Sequence, residues 1–186
     1  MSEKRTLYHT GYEEIRQPDV HYGRVNADFG QGFYLTDDPA FAARWAKDSR
    51  GCRPVMNTYE LDLTGLTVLH LTRDEEWFRY LFANRRSLPD AHPEADVIIG
   101  PIANDTLYDT LGIMTSGFLS DDQALQLLLI GPLYQQIVLK TKKAAAQLAW
   151  RSAREIAPDE TAGMQEILAR EQEDYQRLLG ETLEAM

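Results

Sequence analysis

Short runs of β-branched and aromatic residues recur between residues 5 and 139, each bounded by turn residues or by a helical pattern. Runs of this length and composition are typical of strands in small sheets. Helical patterns begin at Pro39, at residue 73, after Asp105 and at Ser120, and a further one extends from Lys142 to the end with a break near Pro158. The predicted strands are residues 5–9, 33–36, 55–61, 65–71, 96–100 and 137–139. This alternation predicts an α+β fold with a helical C-terminus.

Length and charge limit the function classes open to the chain. With 186 residues, of which 44% are hydrophobic, the chain can bury the core of one domain. Its formal net charge of -10 argues against broad affinity for nucleic acid, because proteins that bind duplexes present a basic face to the phosphates. We therefore expect a macromolecular partner to be a protein rather than a nucleic acid.

Cysteine usage and hydropathy predict a cytoplasmic location. Cys52 is the single cysteine, so no internal disulfide can form, which fits a reducing compartment. The first residues lack the apolar run of a signal peptide, and the longest apolar stretch, Leu125 to Leu133, is too short to span a bilayer. We expect no membrane association. The four histidines and the cysteine do not form a ligand cluster, so no metal is expected either.

Two patches at predicted strand ends carry residues of chemical interest. His9 closes the first strand before a turn at Gly11, where its imidazole either binds a ligand or caps the turn. Gly30 and Gly32 precede the strand that holds Tyr34. Such glycines allow a ligand to approach the backbone, and an aromatic ring beside them can stack on a flat heterocycle. An ordinary turn into a core strand has the same local pattern.

A third patch opens the last predicted strand. Gln135 and Gln136 are adjacent there, and they either line a site or form a solvated strand start. A shift of one residue in register reverses which side chain points inward. The sequence therefore leaves open which of the two amides belongs to a site.

Taken in order, the patches resemble the ADP-ribosyltransferase superfamily, in the branch of diphtheria toxin and the poly-ADP-ribose polymerases that a His–Tyr–Glu triad marks. The chain is most similar to a bacterial family of that clan still catalogued as a domain of unknown function. The matching stretches are LYH with its turn, DFGQGFYLT, EEWFRYLFANR, DVIIGPIANDTLY and QIVLKTKKA, which follow one another from about residue 5 to 148.

The resemblance implies a split two-sheet fold in residues 1–148, with NAD as co-substrate in the cleft between the sheets, and a helical C-terminal extension in residues 149–186. His9 would bind a ribose hydroxyl, backbone at Thr10 would bind the nicotinamide carboxamide, and Tyr34 would stack on the nicotinamide ring. Thr10 stands where the family usually has Gly, which a backbone contact tolerates. Further cofactor contacts are expected at Gly11, Gly32, Phe33 and Asn104.

Gln136, or its neighbour Gln135, stands where the triad has Glu. An amide can hydrogen-bond a ribose, but it places no negative charge against the ribosyl cation that forms when the bond to nicotinamide breaks. The resemblance then implies mono-ADP-ribosyl transfer rather than chain elongation, with His9, Tyr34 and Gln136 as catalytic residues. It also implies a bacterial toxin-like effector or toxin–antitoxin component with a cognate antitoxin. Two alternatives remain open, an NAD glycohydrolase and a non-catalytic NAD-binding or protein-interaction module.

Overall fold

A computed structural model describes residues 4–46, 51–103, 120–131 and 133–185 of the chain. Within these ranges it is an α+β structure with two sheets and a long C-terminal helix. The strands are β1 (Lys4–Gly11), β2 (Phe33–Leu35), β3 (Val55–Asp62), β4 (Val68–His70), β5 (Val97–Pro101), β6 (Gln135–Leu139) and β7 (Leu148–Glu155). The helices are α1 (Pro39–Ala43), α2 (Glu75–Arg85), α3 (Asp121–Leu128), α4 (Lys142–Ala146) and α5 (Pro158–Ala185).

The strands divide into two sheets that do not follow the order of the chain. One sheet has three antiparallel strands in the order β1-β3-β7. The other has four strands in the order β2-β6-β5-β4, antiparallel except for the parallel pair of β4 and β5. In the order of the described strands, the chain therefore changes sheet four times: between β1 and β2, between β2 and β3, between β3 and β4, and between β6 and β7.

Alternate residues of the strands supply three buried cores. The first lies between the two sheets and contains Leu7, Phe33, Leu35, Tyr59, Leu61, Val97, Ile99, Ile137, Leu139 and Leu148 among others. The second lies between the other face of the four-stranded sheet and α2, and it contains Phe29, Leu71, Trp77, Phe78, Tyr80, Leu81, Ala95, Ile98 and Val138. The third packs α1 and Met164 of α5 against the outer face of the three-stranded sheet.

Helix starts agree with the capping residues in the sequence. Asp38 caps α1, because its carboxylate accepts hydrogen bonds from the backbone N–H groups of Ala40 and Phe41 at 2.8 and 3.1 Å. Asp74 caps α2 in the same way through the N–H of Trp77 at 3.0 Å. The helix start predicted at Pro39 is thus confirmed, with Asp38 as its cap.

The prediction of a helical pattern from Lys142 to the break near Pro158 is wrong beyond Ala146. Helix α4 ends at Ala146, and residues 148–155 form β7, which pairs with β3 along its length. The segment is rich in alanine and arginine, so its local preference is helical, but pairing with a neighbouring strand overrides that preference. The predicted division between residues 148 and 149 therefore falls at the start of a strand of the first sheet, and the C-terminal helix begins at Pro158.

Helix α5 packs against the domain through a single stripe. Thr161 and Tyr175 are buried, Met164 lies against the third core, and Glu171 pairs with Arg44 next to α1. None of the helices in the described residues is long and apolar enough to cross a bilayer.

Candidate functional site

The two sheets approach each other where β1 meets the end of β2. Tyr8 and Thr36 form an isolated antiparallel bridge, with N–H to carbonyl distances of 2.8 and 3.0 Å in the two directions. His9 on β1 and Tyr34 on β2 lie beside this bridge. The bridge therefore brings the His9 ring to the backbone of Tyr34, 25 positions away in the chain.

The His9 ring is fixed by one hydrogen bond and one ring contact. Its Nδ1 lies 2.8 Å from the backbone carbonyl of Tyr34, and its ring centroid lies 4.6 Å from that of Phe33. A carbonyl can only accept, so Nδ1 carries the proton and Nε2 of the neutral ring is an acceptor. Burial lowers the pKa of His9, and the bond to the Tyr34 carbonyl opposes this only in part. His9 is therefore neutral at pH 7, and within the described residues its Nε2 has no hydrogen-bond partner.

The Tyr34 hydroxyl is bound on both sides by the segment just before β2. It accepts from the N–H of Phe29 at 2.9 Å and donates to the carbonyl of Gly30 at 2.7 Å. Burial raises the pKa of Tyr34, so the phenol stays protonated. The ring packs against the edge of the second core and is partly exposed. Tyr34 is thus an anchored aromatic ring with some surface left for contact.

Gln136 lies on the same face of the four-stranded sheet as Tyr34. Tyr34 pairs with Val138 on β6, and side chains two residues apart on a strand share a face. Gln136 is 8% exposed, and its Oε1 has no hydrogen-bond partner within the described residues. Gln135 is exposed. The sequence left open which of the two amides points inward, and in the structure Gln136 is buried and Gln135 is exposed.

The packing beside Gln136 requires a glycine in the neighbouring strand. Gly100 pairs with Gln136, and a Cβ on Gly100 would lie 2.9 Å from Cζ of Phe29 and 3.1 Å from Cβ of Leu71. No larger residue fits there without displacing a core side chain. An unpaired buried amide oxygen costs free energy unless a ligand satisfies it, so its presence here favours a ligand site.

The other residues predicted to contact the cofactor lie in different surroundings. The Thr10 hydroxyl donates to the carbonyl of Ala42 at 2.7 Å, so only its backbone is available to a ligand. The Phe33 ring is buried between the sheets, on the opposite face from Tyr34. A Cβ on Gly32 would lie 2.6 Å from Val138 Cγ1, so packing against β6 already requires glycine there. Asn104 lies outside the described residues.

Four residues that the sequence did not single out hold the segment before Tyr34, and we call them the loop clamp: Asp28, Asn84, Arg85 and Lys140. Oδ1 of Asp28 accepts from Nε and Nη2 of Arg85 at 2.9 and 2.7 Å, and Oδ2 accepts from the N–H of Ala103 at 3.3 Å. Nδ2 of Asn84 donates to the Asp28 carbonyl at 3.3 Å. The two side chains of the ion pair are 5% and 13% exposed.

Lys140 completes the clamp from the end of β6. Its Nζ donates to the Phe29 carbonyl and lies 3.2 Å from Oδ2 of Asp90. Gly30 has a φ of +72°, and a Cβ there would lie 2.9 Å from both Asn84 Oδ1 and Lys140 Nζ. Residues 56 or more positions away in the chain therefore hold this short segment, and no local spacing in the sequence marks them.

Comparison with known families finds one matching model, described as a protein of unknown function (DUF3990), over residues 5–150. That span contains His9, Tyr34, Gln136 and the whole loop clamp, and it ends before α5. No curated protein matches the chain.

Proposed function

The chain belongs to the DUF3990 family of proteins of unknown function, and we propose that it is an NAD-dependent mono-ADP-ribosyltransferase. The observation that carries the proposal is the buried Oε1 of Gln136, which lacks a partner within the described residues and lies on the face that carries Tyr34. A buried acceptor beside an anchored aromatic ring suits a ligand with both hydroxyl groups and a flat ring. The nicotinamide riboside half of NAD has both.

Each of the three side chains has a role that fits its chemistry. The Nε2 of His9 would accept a hydrogen bond from one ribose hydroxyl, and Gln136 Oε1 would accept from another. The partly exposed Tyr34 ring would stack on the nicotinamide. Backbone groups at Thr10 would bind the carboxamide, because the Thr10 hydroxyl is already bonded to Ala42. The neutral state of His9 suits an acceptor role, since a protonated ring could not accept.

The reaction breaks the bond between the ribose C1′ and the nicotinamide nitrogen. The nitrogen keeps the electron pair and leaves as neutral nicotinamide, while C1′ takes on oxocarbenium character. A nucleophilic atom of the acceptor then bonds to C1′ and releases its proton. The site contributes by holding the ribose and stacking the leaving ring, which is catalysis by positioning.

The amide at position 136 sets an expectation for rate and product. Because Gln136 carries no charge, it stabilises the cation less than a carboxylate would, so cleavage is expected to be slow. Chain elongation, for which the wider superfamily relies on the Glu, is not expected. The acceptor is proposed to be a protein in the bacterial cytoplasm, and the toxin-like role with a cognate antitoxin follows from the resemblance alone.

The test is NAD binding and nicotinamide release by the full chain and by a pair of neighbouring variants. Gln136→Met removes the buried amide, whereas Gln135→Met changes its exposed neighbour on the opposite face. NAD should raise the melting temperature of the wild type and of Gln135→Met, but not that of Gln136→Met, because a ligand that binds only the native state stabilises it. Equal NAD stabilisation of the two variants would remove Gln136 from the site.

Further variants separate the functional alternatives. His9→Ala and Tyr34→Ala should abolish nicotinamide release while the protein stays folded, and Gln136→Glu should increase it if this side chain faces the ribose. Label from NAD on a protein in a cell lysate supports transfer. Nicotinamide release without any labelled acceptor supports a glycohydrolase, and NAD binding without release supports a binding module. A wild type that NAD does not stabilise would contradict the transferase, the glycohydrolase and an NAD-binding module, and would support a protein-interaction module.

A further inference from the structure

The Tyr34 hydroxyl takes its position from backbone groups, not from another side chain. Both of its partners, the N–H of Phe29 and the carbonyl of Gly30, belong to one three-residue segment with Asp28. Where this segment lies therefore decides how the ring of Tyr34 is oriented. The loop clamp in turn holds this segment. The Asp28 side chain binds Arg85, and Asn84 donates to the backbone carbonyl of Asp28.

The carboxylate of Asp28 is engaged by groups of the protein itself. One carboxylate oxygen accepts two N–H groups of Arg85 and the other accepts the N–H of Ala103, so three hydrogen bonds already hold it. The adjacent guanidinium also balances its charge. A role for Asp28 in NAD chemistry must therefore act through the groups that it holds in place.

Those groups meet at the site. Through Arg85, Asp28 links the segment before β2 to the end of α2, and through the Ala103 N–H it links the segment to the residues that follow β5. Gly100 of β5 pairs with Gln136. One carboxylate thus connects the strand that carries Tyr34 with the strand that lies beside the buried amide.

We propose that Asp28, paired with Arg85, is a positioning residue that fixes the Tyr34 ring for stacking on the nicotinamide of NAD. This inference rests on the proposed function. Stacking requires a ring held at one angle, and small displacements of positioning groups have large effects on binding and reaction. Asp28 itself does not touch the ligand.

A matched carboxylate at the other end of β5 provides the control. Asp96 is buried and accepts from Thr67 N–H, Thr141 Oγ1 and Lys143 Nζ at 3.0, 2.7 and 2.9 Å. It precedes the first residue of β5, whereas Gly100 lies near the end of that strand. Asp96→Asn and Asp28→Asn therefore remove comparable buried charges from the two ends of one strand.

The experiment measures the kinetics of nicotinamide release by wild type, Asp28→Asn and Asp96→Asn. We expect Asp28→Asn to raise KM for NAD at least about tenfold with kcat changed less than about threefold, and Asp96→Asn to leave KM within about twofold. Arg85→Lys keeps the charge but loses the paired N–H groups, so it should raise KM less than Asp28→Asn. It also serves as the test if Asp28→Asn does not fold. Equal KM changes for the two asparagine variants would reduce Asp28 to a structural residue.

A second measurement does not depend on NAD. Hydrogen exchange of the Phe29 amide reports its bond to the Tyr34 hydroxyl, and it should be at least about tenfold faster in Asp28→Asn and unchanged in Asp96→Asn. If the wild type does not bind NAD, the proposed function fails while this measurement still decides whether Asp28 sets Tyr34. Unchanged Phe29 exchange in Asp28→Asn and Arg85→Lys would overturn the inference.

Discussion

The two ends of β6 are held by polar contacts of different kinds. Just before the strand, Tyr134 donates to Glu171 of α5 at 3.0 Å, and Glu171 also pairs with Arg44. Beyond its other end, Lys140 donates to the Phe29 carbonyl, in the segment that the pair of Asp28 and Arg85 holds. The Glu171 side chain is 30% exposed, whereas those of Arg85 and Asp28 are 5% and 13% exposed. Arg44 is 11% exposed, so the ion pair at one end is partly open to solvent through Glu171 and the ion pair at the other end is more deeply buried.

The two contacts also differ in whether they lie within the residues that the family model matches. The loop clamp lies within residues 5–150, while the Glu171 contact comes from a helix beyond them. Breaking a buried charge pair generally costs more stability than breaking a solvent-exposed one. We therefore expect the clamp to contribute more to the stability of the domain than the Glu171 contact does.

The largest expected contrast is between two tryptophans. Trp77 in α2 is fully buried and donates from Nε1 to the Pro101 carbonyl at 2.9 Å, so Trp77→Ala should lower the free energy of unfolding by about 3–5 kcal/mol. Trp45, next to α1, is partly exposed and packs edge-on against Phe41. Its replacement by Ala should cost clearly less, because less of its surface is buried. Urea unfolding measures both, and equal losses would contradict the comparison.

The ion pairs give the next contrast. Asp28→Ala removes the carboxylate that pairs with the buried Arg85 and should cost about 3 kcal/mol, since breaking a buried pair is strongly destabilising. Glu171→Ala should cost about 1 kcal/mol or less, because its carboxylate is partly solvated. Urea unfolding gives the ordering, and hydrogen exchange should show that Glu171→Ala loosens α5 alone. A larger loss for Glu171→Ala than for Asp28→Ala would mean that the contact of α5 stabilises the protein more than the clamp does.

Much of this arrangement was predictable from local signals. The strands that carry His9 and Tyr34 follow from their composition, and the cap at Asp38 follows from an acidic residue before Pro39. The choice between Gln135 and Gln136 was not predictable, because it depends on the register between β6 and β5.

Two other features could be identified only from the folded structure. The residues of β7 are a strand because β3 offers an edge to pair with, not because of their own preference. The pair of Asp28 and Arg85 joins residues 57 positions apart, and charged residues with no fixed spacing look like any solvated pair in a sequence. Burial identifies them, and burial is a property of the folded chain.

Acidification should remove the stability contribution of His9, in the site, at a higher pH than that of Glu160 in α5. The loss of stability should be smaller than the losses caused by the substitutions above. Burial holds the pKa of His9 below 6.5, so the unfolded chain takes up the proton first as the pH falls. The stability linked to neutral His9 is complete above about pH 6.5 and is lost as the pH falls from there towards its folded pKa. Glu160, at the start of α5, has its pKa lowered by Arg154, so its contribution is lost only below its ordinary value of 4.5.

His9→Asn, whose amide can still donate to the Tyr34 carbonyl, should remove the part of the loss between about pH 7 and pH 5.5 that His9 causes. Urea midpoints across this range measure it, and an unchanged slope would show that His9 protonation is not linked to folding.

The smallest expected change in stability lies between the two ends of β6, at Gln136. Its Oε1 is buried without a partner in the described residues, so Gln136→Met removes a desolvation cost and keeps most of the side-chain volume. The free energy of unfolding should therefore change by less than about 1 kcal/mol in either direction, close to the change for exposed Gln135→Met. A loss of several kcal/mol would mean that the amide is bonded within the protein and that β6 is fixed at its centre as well as at its ends. An unchanged stability would instead assign the buried amide to a ligand, because nothing in the folding of the chain would then require it.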